Sequence, residues 1–119
     1  MLLAVGEHLL GAEVRDVVRY MTPFAGGVGC HNQELCGALS GGIAVIGGRF
    51  GRRSCEEDDT LVQDVASRFR QQFLEKVGAT QCEQVRRLIK APGGMGSCEV
   101  LVEWASAVLL QLIDRVGDA

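Results

Sequence analysis

Glycine is concentrated in one part of the chain, and this concentration restricts the possible folds more than any other feature. Nine of the 16 glycines lie in the stretch between residues 24 and 52. Each glycine inside a helix costs about 1 kcal/mol relative to alanine, so a helix that keeps several of them needs a compensating close contact. The nine positions are Gly26, Gly27, Gly29, Gly37, Gly41, Gly42, Gly47, Gly48 and Gly51.

Eight of these glycines fall into two groups with different physical roles. The sequence Gly-Gly-Val-Gly at residues 26–29 predicts a loop with positive φ that brings backbone close to another group. Residues 35–48 are apolar or small and predict a buried helix, with Asn32 as its N-cap. Its small residues would let a neighbour approach the backbone closely, and that neighbour is either another helix or a bound group.

The second half of the chain carries helix signals. A capping box at residues 54–57 predicts a helix that begins at Ser54 and ends at Gly78. Another capping box, Thr-Gln-Cys-Glu at residues 80–83, predicts a short helix that ends before Pro92. Ser97 is the predicted cap of a last helix that runs to about residue 116.

Two shorter amphipathic helices are predicted near the start, over residues 2–10 and 13–20. No β-branched run alternates as a strand would. We therefore expect an all-α fold, a single compact helical domain over residues 1–119 with about five to six helices. The glycine-rich helix is expected to be buried at its centre.

Composition excludes two classes of partner. The chain has 119 residues, 47% of them hydrophobic, which suits one globular core. Its 15 acidic against 12 basic residues lack the basic excess of a nucleic-acid-binding protein. The longest apolar stretch is shorter than the roughly 20 residues of a membrane-spanning helix. Since the first residues lack the basic region of a secretory signal, we expect a cytoplasmic protein with reduced thiols.

The cysteines are the candidates for chemistry, although none of them forms a C-x-x-C pair. On the predicted helices, Cys55 and Cys98 take the first helical position, Cys82 the second, and Cys36 lies near the first turn. Free amides and the helix dipole at such positions stabilise a thiolate and lower the thiol pKa. The alternative for each is a small buried hydrophobic residue. The remaining cysteine is Cys30.

Residues 36–41, Cys-Gly-Ala-Leu-Ser-Gly, resemble the C-G-A-x-x-G core of the C_GCAxxG_C_C family of redox-active helical proteins. The order of the later features is also similar: a Gly-Arg turn, an amphipathic helix closed by glycine, then two cysteines. The resemblance implies a small α-helical domain with four characteristic cysteines, which acts in redox chemistry or holds a prosthetic group such as an iron-sulfur cluster.

By position, the resemblance makes Cys36, Cys82 and Cys98 the second, third and fourth of those cysteines and the candidate catalytic residues. Gly37 and Gly41 of the motif are candidate cofactor-binding residues. The first family cysteine would precede the opening helix. We expect an upstream start that supplies it; otherwise the site has three members or Cys30 replaces the missing one.

Three functions follow from these residues. The first is thiol/disulfide or electron-transfer chemistry through the clustered cysteines with a redox partner protein. The second is binding of a transition metal or iron-sulfur cluster by Cys36, Cys82 and Cys98, with Cys30 and His31 as further ligands. The third is a non-catalytic helical module that forms a homo-oligomer. Whether the protein is an enzyme stays open at this point.

Overall fold

The structure is a computed structural model that describes residues 1–118, one residue short of the predicted domain 1–119. The described residues form six α-helices, and two 3-10 turns flank the second one. The all-α prediction is confirmed. Among residues 1–118, β-type pairing is limited to one isolated bridge, between Leu35 and Gln81. The helices are α1 (Leu2–Leu10), α2 (Val14–Met21), α3 (Gly37–Phe50), α4 (Thr60–Val77), α5 (Cys82–Lys90) and α6 (Cys98–Asp118).

Helix α3 is the predicted glycine-rich helix, and it is buried between α1, α4 and α6. A Cβ atom on Gly42 would lie 2.5 Å from the ring of Phe69 on α4. A Cβ atom on Gly48 would lie 2.7 Å from the side chain of Leu10 on α1. The small residues of α3 therefore allow neighbouring helices to approach closely, and these contacts offset the helix-propensity cost of its glycines.

The core is completed by the apolar faces of α4 and α6, which pack on α3. Phe69 and Phe73 of α4 are fully buried. The ring of Phe73 lies 6.2 Å from that of Trp104, at an interplanar angle of 54°. Such tilted aromatic pairs stabilise a core beyond their buried area. None of the described helices is both long and apolar enough to cross a membrane.

The predicted start of α4 at Ser54 is wrong, because the helix begins at Thr60. Residues 53–57 form bends and a turn instead, in which the amide of Glu57 donates to the carbonyl of Ser54 at 3.3 Å. The Arg52 guanidinium donates hydrogen bonds to the carbonyl oxygens of Cys55 and Glu57, at 3.3 and 3.2 Å. These bonds give the segment an alternative to helical hydrogen bonding. Cys55 consequently does not occupy a helix start.

The start of α6 is as predicted. The hydroxyl oxygen of Ser97 accepts a hydrogen bond from the amide of Val100 at 3.2 Å, which is the geometry of a serine N-cap. Cys98 is the first helical residue, as the sequence predicts. The helix continues two residues beyond the predicted end, to Asp118.

The starts of α3 and α5 differ from the predictions by a few residues. The N-cap of α3 is Cys36 itself, and Asn32 lies in the preceding turn. The N-cap of α5 is Gln81, so that Cys82 is the first helical residue and not the second. The predicted capping box fails here because Thr80 belongs to the extended segment that pairs with the residues before α3.

Candidate functional site

The segments that precede α3 and α5 run antiparallel to each other and tie the two helix starts together. The amide of Cys36 donates a hydrogen bond to the carbonyl of Thr80, and the amide of Cys82 donates one to the carbonyl of Glu34, both at 2.8 Å. This pairing, centred on the isolated bridge, joins parts of the chain that are far apart in sequence. It places the two cysteines at one junction.

The two buried thiols lie close enough to interact electrostatically. The bridge joins Leu35 to Gln81, so Cys36 follows one bridge residue and Cys82 follows the other. Negative charge on Cys82 acts on the Cys36 thiol. The junction therefore holds the two thiols within electrostatic range of each other.

Cys36 is buried at the N-terminus of α3. Burial raises the pKa of its thiol, because the charged form loses solvation. The backbone amides of Ala38 and Leu39 act in the opposite direction but do not reverse the shift. Negative charge on Cys82 or Cys98 raises the Cys36 pKa further.

Cys82 is also buried, at the first position of α5. Its thiol donates a hydrogen bond to the side-chain carbonyl oxygen of Asn32 at 3.5 Å. Burial raises the pKa of Cys82, Arg86 on the next turn lowers it, and the charges of Cys98 and Cys30 raise it.

The expectation that a helix start lowers the thiol pKa is therefore wrong for both buried cysteines. At Cys36 and Cys82 desolvation is the largest cause of the shift, and it outweighs the nearby amides or cation that favour the thiolate. Both residues are thus held as neutral thiols at neutral pH.

Exposure divides the cysteines into two kinds. Cys98 and Cys30 are exposed, whereas Cys36 and Cys82 are buried. Cys98 lies within electrostatic range of both buried thiols, and Cys30 lies within range of Cys82. Cys55 is exposed in the loop after α3 and influences neither buried thiol. Electrostatic interaction thus links the three candidate catalytic cysteines and Cys30, whereas Cys55 takes no part in it.

The glycine loop forms the edge of this junction. Residues 26–30 all have positive φ, between 57° and 66°, which confirms the predicted conformation. A Cβ atom on Gly27 would lie 2.8 Å from the carbonyl oxygen of Glu34 and 3.0 Å from the Cβ of Cys82. The close approach predicted for this loop is therefore an approach to the start of α5.

Asn32 is the residue of the site that the sequence did not identify as functional. It has a φ of 64°, its amide donates to the carbonyl of Gly26, and its own carbonyl accepts from Glu83. Asparagine tolerates the left-handed conformation better than other non-glycine residues do. Its position directly after a glycine loop with positive φ was the available signal.

The donor set does not fit a metal ion or cluster as it is folded. Among residues 1–118, no group of three or more His, Cys, Asp or Glu side chains is arranged to hold a metal ion. His31 is exposed, and no described side-chain hydrogen bond involves its imidazole. Within these residues the cysteines do not form the close set of four ligands that an iron-sulfur cluster requires.

The two motif glycines have different surroundings. The position of a Cβ atom on Gly37 is open, and the residue borders an apolar groove of about 340 Å³ between α1, α2 and α3. Gly41 borders the same groove, but the Met1 side chain lies 3.1 Å from the corresponding position. Close helix packing therefore accounts for Gly41, whereas Gly37 leaves open space beside the start of α3.

Comparison with known proteins gives one family. The family model described as "Putative redox-active protein (C_GCAxxG_C_C)" matches residues 1–112 of the chain. No curated protein and no solved structure matches the chain. The matched region includes all five cysteines and the whole junction between α3 and α5.

Proposed function

The chain belongs to the C_GCAxxG_C_C family, and from this premise we propose that it carries out thiol–disulfide exchange, with Cys98 as the attacking thiol and Cys82 as the resolving thiol. The observation that carries the proposal is the pairing of an exposed cysteine with buried ones. Cys98 is exposed at the first position of α6 and lies within electrostatic range of Cys82 and Cys36. An incoming disulfide can reach Cys98, whereas the buried thiols are shielded.

The exchange has two steps. The Cys98 thiolate attacks one sulfur of a disulfide on the reaction partner, forms a mixed disulfide and releases one partner thiolate. The Cys82 thiolate then attacks the Cys98 sulfur, forms an intramolecular disulfide and releases the second partner thiolate. Two electrons pass from the protein to the partner. The two protons lost by the cysteines go to solvent, and the partner thiolates take up two protons from solvent.

The attacking role is assigned to Cys98 for a physical reason. A thiol attacks as the thiolate, so the fraction ionised and the access to solvent both set the rate. Burial raises the pKa of Cys36 and Cys82 and keeps them protonated near neutral pH. Cys82 gains a local advantage as the second nucleophile because the mixed disulfide on Cys98 would form beside it.

The sequence also predicts a redox partner protein, a cytoplasmic location, a homo-oligomer and a metal or iron-sulfur site, and the first two of these agree with the proposal. A disulfide-bearing redox partner protein is the expected reactant, and a cytoplasmic location would keep the resting thiols reduced. The homo-oligomer stays a prediction. Metal and iron-sulfur binding are not part of the proposal, because the described donors do not form a fitting ligand set.

The test is to map the disulfide that forms in the oxidised protein. The reduced protein is incubated with a small disulfide such as oxidised glutathione, blocked with an alkylating reagent and digested with trypsin. Cys82, Cys98 and Cys55 fall on separate tryptic peptides, residues 77–86, 91–115 and 54–68. We expect a linkage between the first two peptides, with the Cys55 peptide alkylated.

Two variants make the result decisive. Cys55→Ser is the matched control, because it removes an exposed cysteine outside the junction and should leave the linkage unchanged. Cys98→Ser should abolish the linkage and slow the overall loss of thiols. The proposal is wrong if the wild-type protein yields no linkage between residues 77–86 and 91–115, or if Cys98→Ser is oxidised at the wild-type rate.

A further inference from the structure

The loop before α3 makes a contact with the thiol site that the exchange steps above do not use. The Cys82 thiol donates a hydrogen bond to the side-chain oxygen of Asn32, which lies on the preceding turn and not on any helix. Asn32 is partly buried at this point. The contact joins residues that are 50 positions apart in sequence.

The backbone of Asn32 is held from both sides. Its amide donates to the carbonyl of Gly26 at 2.8 Å, and its carbonyl accepts from the amide of Glu83 at 2.9 Å. The second bond anchors it directly to the first turn of α5, next to Cys82. The backbone of Asn32 is therefore fixed relative to the start of α5, so that its side chain begins from a set position beside Cys82.

The glycine loop makes this placement possible. Asn32 adopts a φ of 64° at the end of a run of positive φ values over residues 26–30. Gly27 is buried, and a Cβ atom there would lie 3.0 Å from the Cβ of Cys82. The loop thus packs on Cys82 through a residue without a side chain, which leaves room for the Asn32 amide to reach the thiol.

We infer that Asn32 is a positioning residue for Cys82. The side-chain carbonyl of Asn32 holds the Cys82 thiol in its protonated form and in a fixed orientation. The inference deepens the proposed function, since it assigns control of the resolving thiol to the glycine loop. A carbonyl oxygen accepts a hydrogen bond from a thiol but can only repel a thiolate. Ionisation of Cys82 therefore requires this contact to break.

Other groups around Cys82 act on the same thiol and must be held constant in a test. Arg86 on its own helix favours the thiolate, whereas Cys98 on α6 and Cys30 on the loop disfavour it. Cys36, at the start of α3, is influenced by the charge of Cys82. Substitution at position 32 leaves all four in place.

The experiment measures how fast Cys82 is alkylated by iodoacetamide near neutral pH, using the modified tryptic peptide 77–86. The Cys55 peptide, residues 54–68, is an internal reference in the same sample. Asn32→Gly keeps the left-handed backbone but removes the acceptor, and we expect Cys82 to react about two- to tenfold faster, the factor that one hydrogen bond supplies. Asn32→Asp keeps the shape but adds a negative charge, and we expect Cys82 to react several-fold more slowly.

Gln84→Glu is the matched control, because it adds the same charge at an exposed position of α5, two residues beyond Cys82. It should leave the Cys82 rate near the wild-type value. The inference is overturned if Asn32→Gly leaves the rate unchanged or lowers it, or if Asn32→Asp and Gln84→Glu have equal effects. Asn32→Asp provides the decision should Asn32→Gly fail to fold.

Alkylation needs no disulfide, so this result is independent of the proposed exchange. Opposite shifts in the two Asn32 variants without any linkage of Cys82 to Cys98 would support the inference and refute the exchange. A normal linkage with unshifted alkylation rates would do the reverse.

Discussion

The close packing of α3 can be tested by adding a methyl group at two of its glycines. Gly42 and Gly47 both lie within the same helix. A Cβ atom on Gly42 would lie 2.5 and 2.7 Å from two ring carbons of Phe69, which is fully buried. A Cβ atom on Gly47 would have no neighbour within 4 Å. The two substitutions to alanine therefore share one local effect and differ in packing.

The magnitudes follow from these distances. Alanine gains about 1 kcal/mol over glycine inside a helix, and both variants receive this gain. Carbon atoms in contact lie about 3.5–4.0 Å apart, so the Phe69 ring must retreat by about 1 Å in Gly42→Ala. Overpacking of this kind costs about 1–3 kcal/mol. Since the helix-propensity gain cancels, we expect Gly42→Ala to be less stable than Gly47→Ala by about 1–3 kcal/mol.

The assay is urea denaturation followed by circular dichroism, in reducing buffer so that no disulfide contributes. Gly47→Ala should be more stable than the wild-type protein by about 1 kcal/mol. For a domain of this size, 1 kcal/mol corresponds to about 4 °C in thermal midpoint, which gives a second readout. Equal stability of the two variants, or a more stable Gly42→Ala, would refute the packing argument.

Three further predictions concern the loop, the last helix and the buried thiols. Gly27→Ala should lower the free energy of unfolding by more than about 1–2 kcal/mol. Alanine is strained at the positive φ of this residue, and its Cβ atom would also clash with the carbonyl oxygen of Glu34. Gly47→Ala is the control for this variant in the same denaturation series. Ser97→Ala should lower the free energy of unfolding by about 1 kcal/mol because the N-cap of α6 is lost, and Ser97→Asp should keep most of that stability. Equal stability of Ser97→Ala and the wild-type protein would contradict the capping role of Ser97. The pKa of the Cys36 thiol is raised in the folded protein. The stability that the neutral thiol contributes is therefore complete below the ordinary thiol pKa of about 8.5, and it is lost as the pH rises through the pKa of Cys36 in the folded protein. Cys36→Ala should flatten that alkaline loss in denaturation midpoints measured against pH, and an unchanged slope would show that burial of this thiol is not its cause.

Helices with a strong apolar period could be predicted from the sequence because local patterns determine them. Helix α1 has the predicted bounds, and the Ser97 cap places the start of α6 correctly. The start of α4 could not be found in the same way. Arg52 binds two loop carbonyls there, and a capping box carries no information about such a competitor.

Local sequence patterns predict the arrangement of the site only in part. The sequence indicated which cysteines are candidates, but the pairing between the segments before α3 and α5 is a contact between distant parts of the chain. Helix starts predicted a lower thiol pKa, yet burial decides its direction at Cys36 and Cys82. Burial depends on tertiary packing, which the spacing of cysteines does not specify.

The central claim is that two of the five cysteines act together as a two-electron redox pair. The most direct test is to count free thiols after equilibration in glutathione buffers of increasing oxidation, with the intact mass as a second readout. We expect two thiols to be lost together in one reversible transition, with a mass loss of two hydrogens and no bound glutathione. All five thiols remaining free, or single thiols lost as separate glutathione adducts, would contradict the claim.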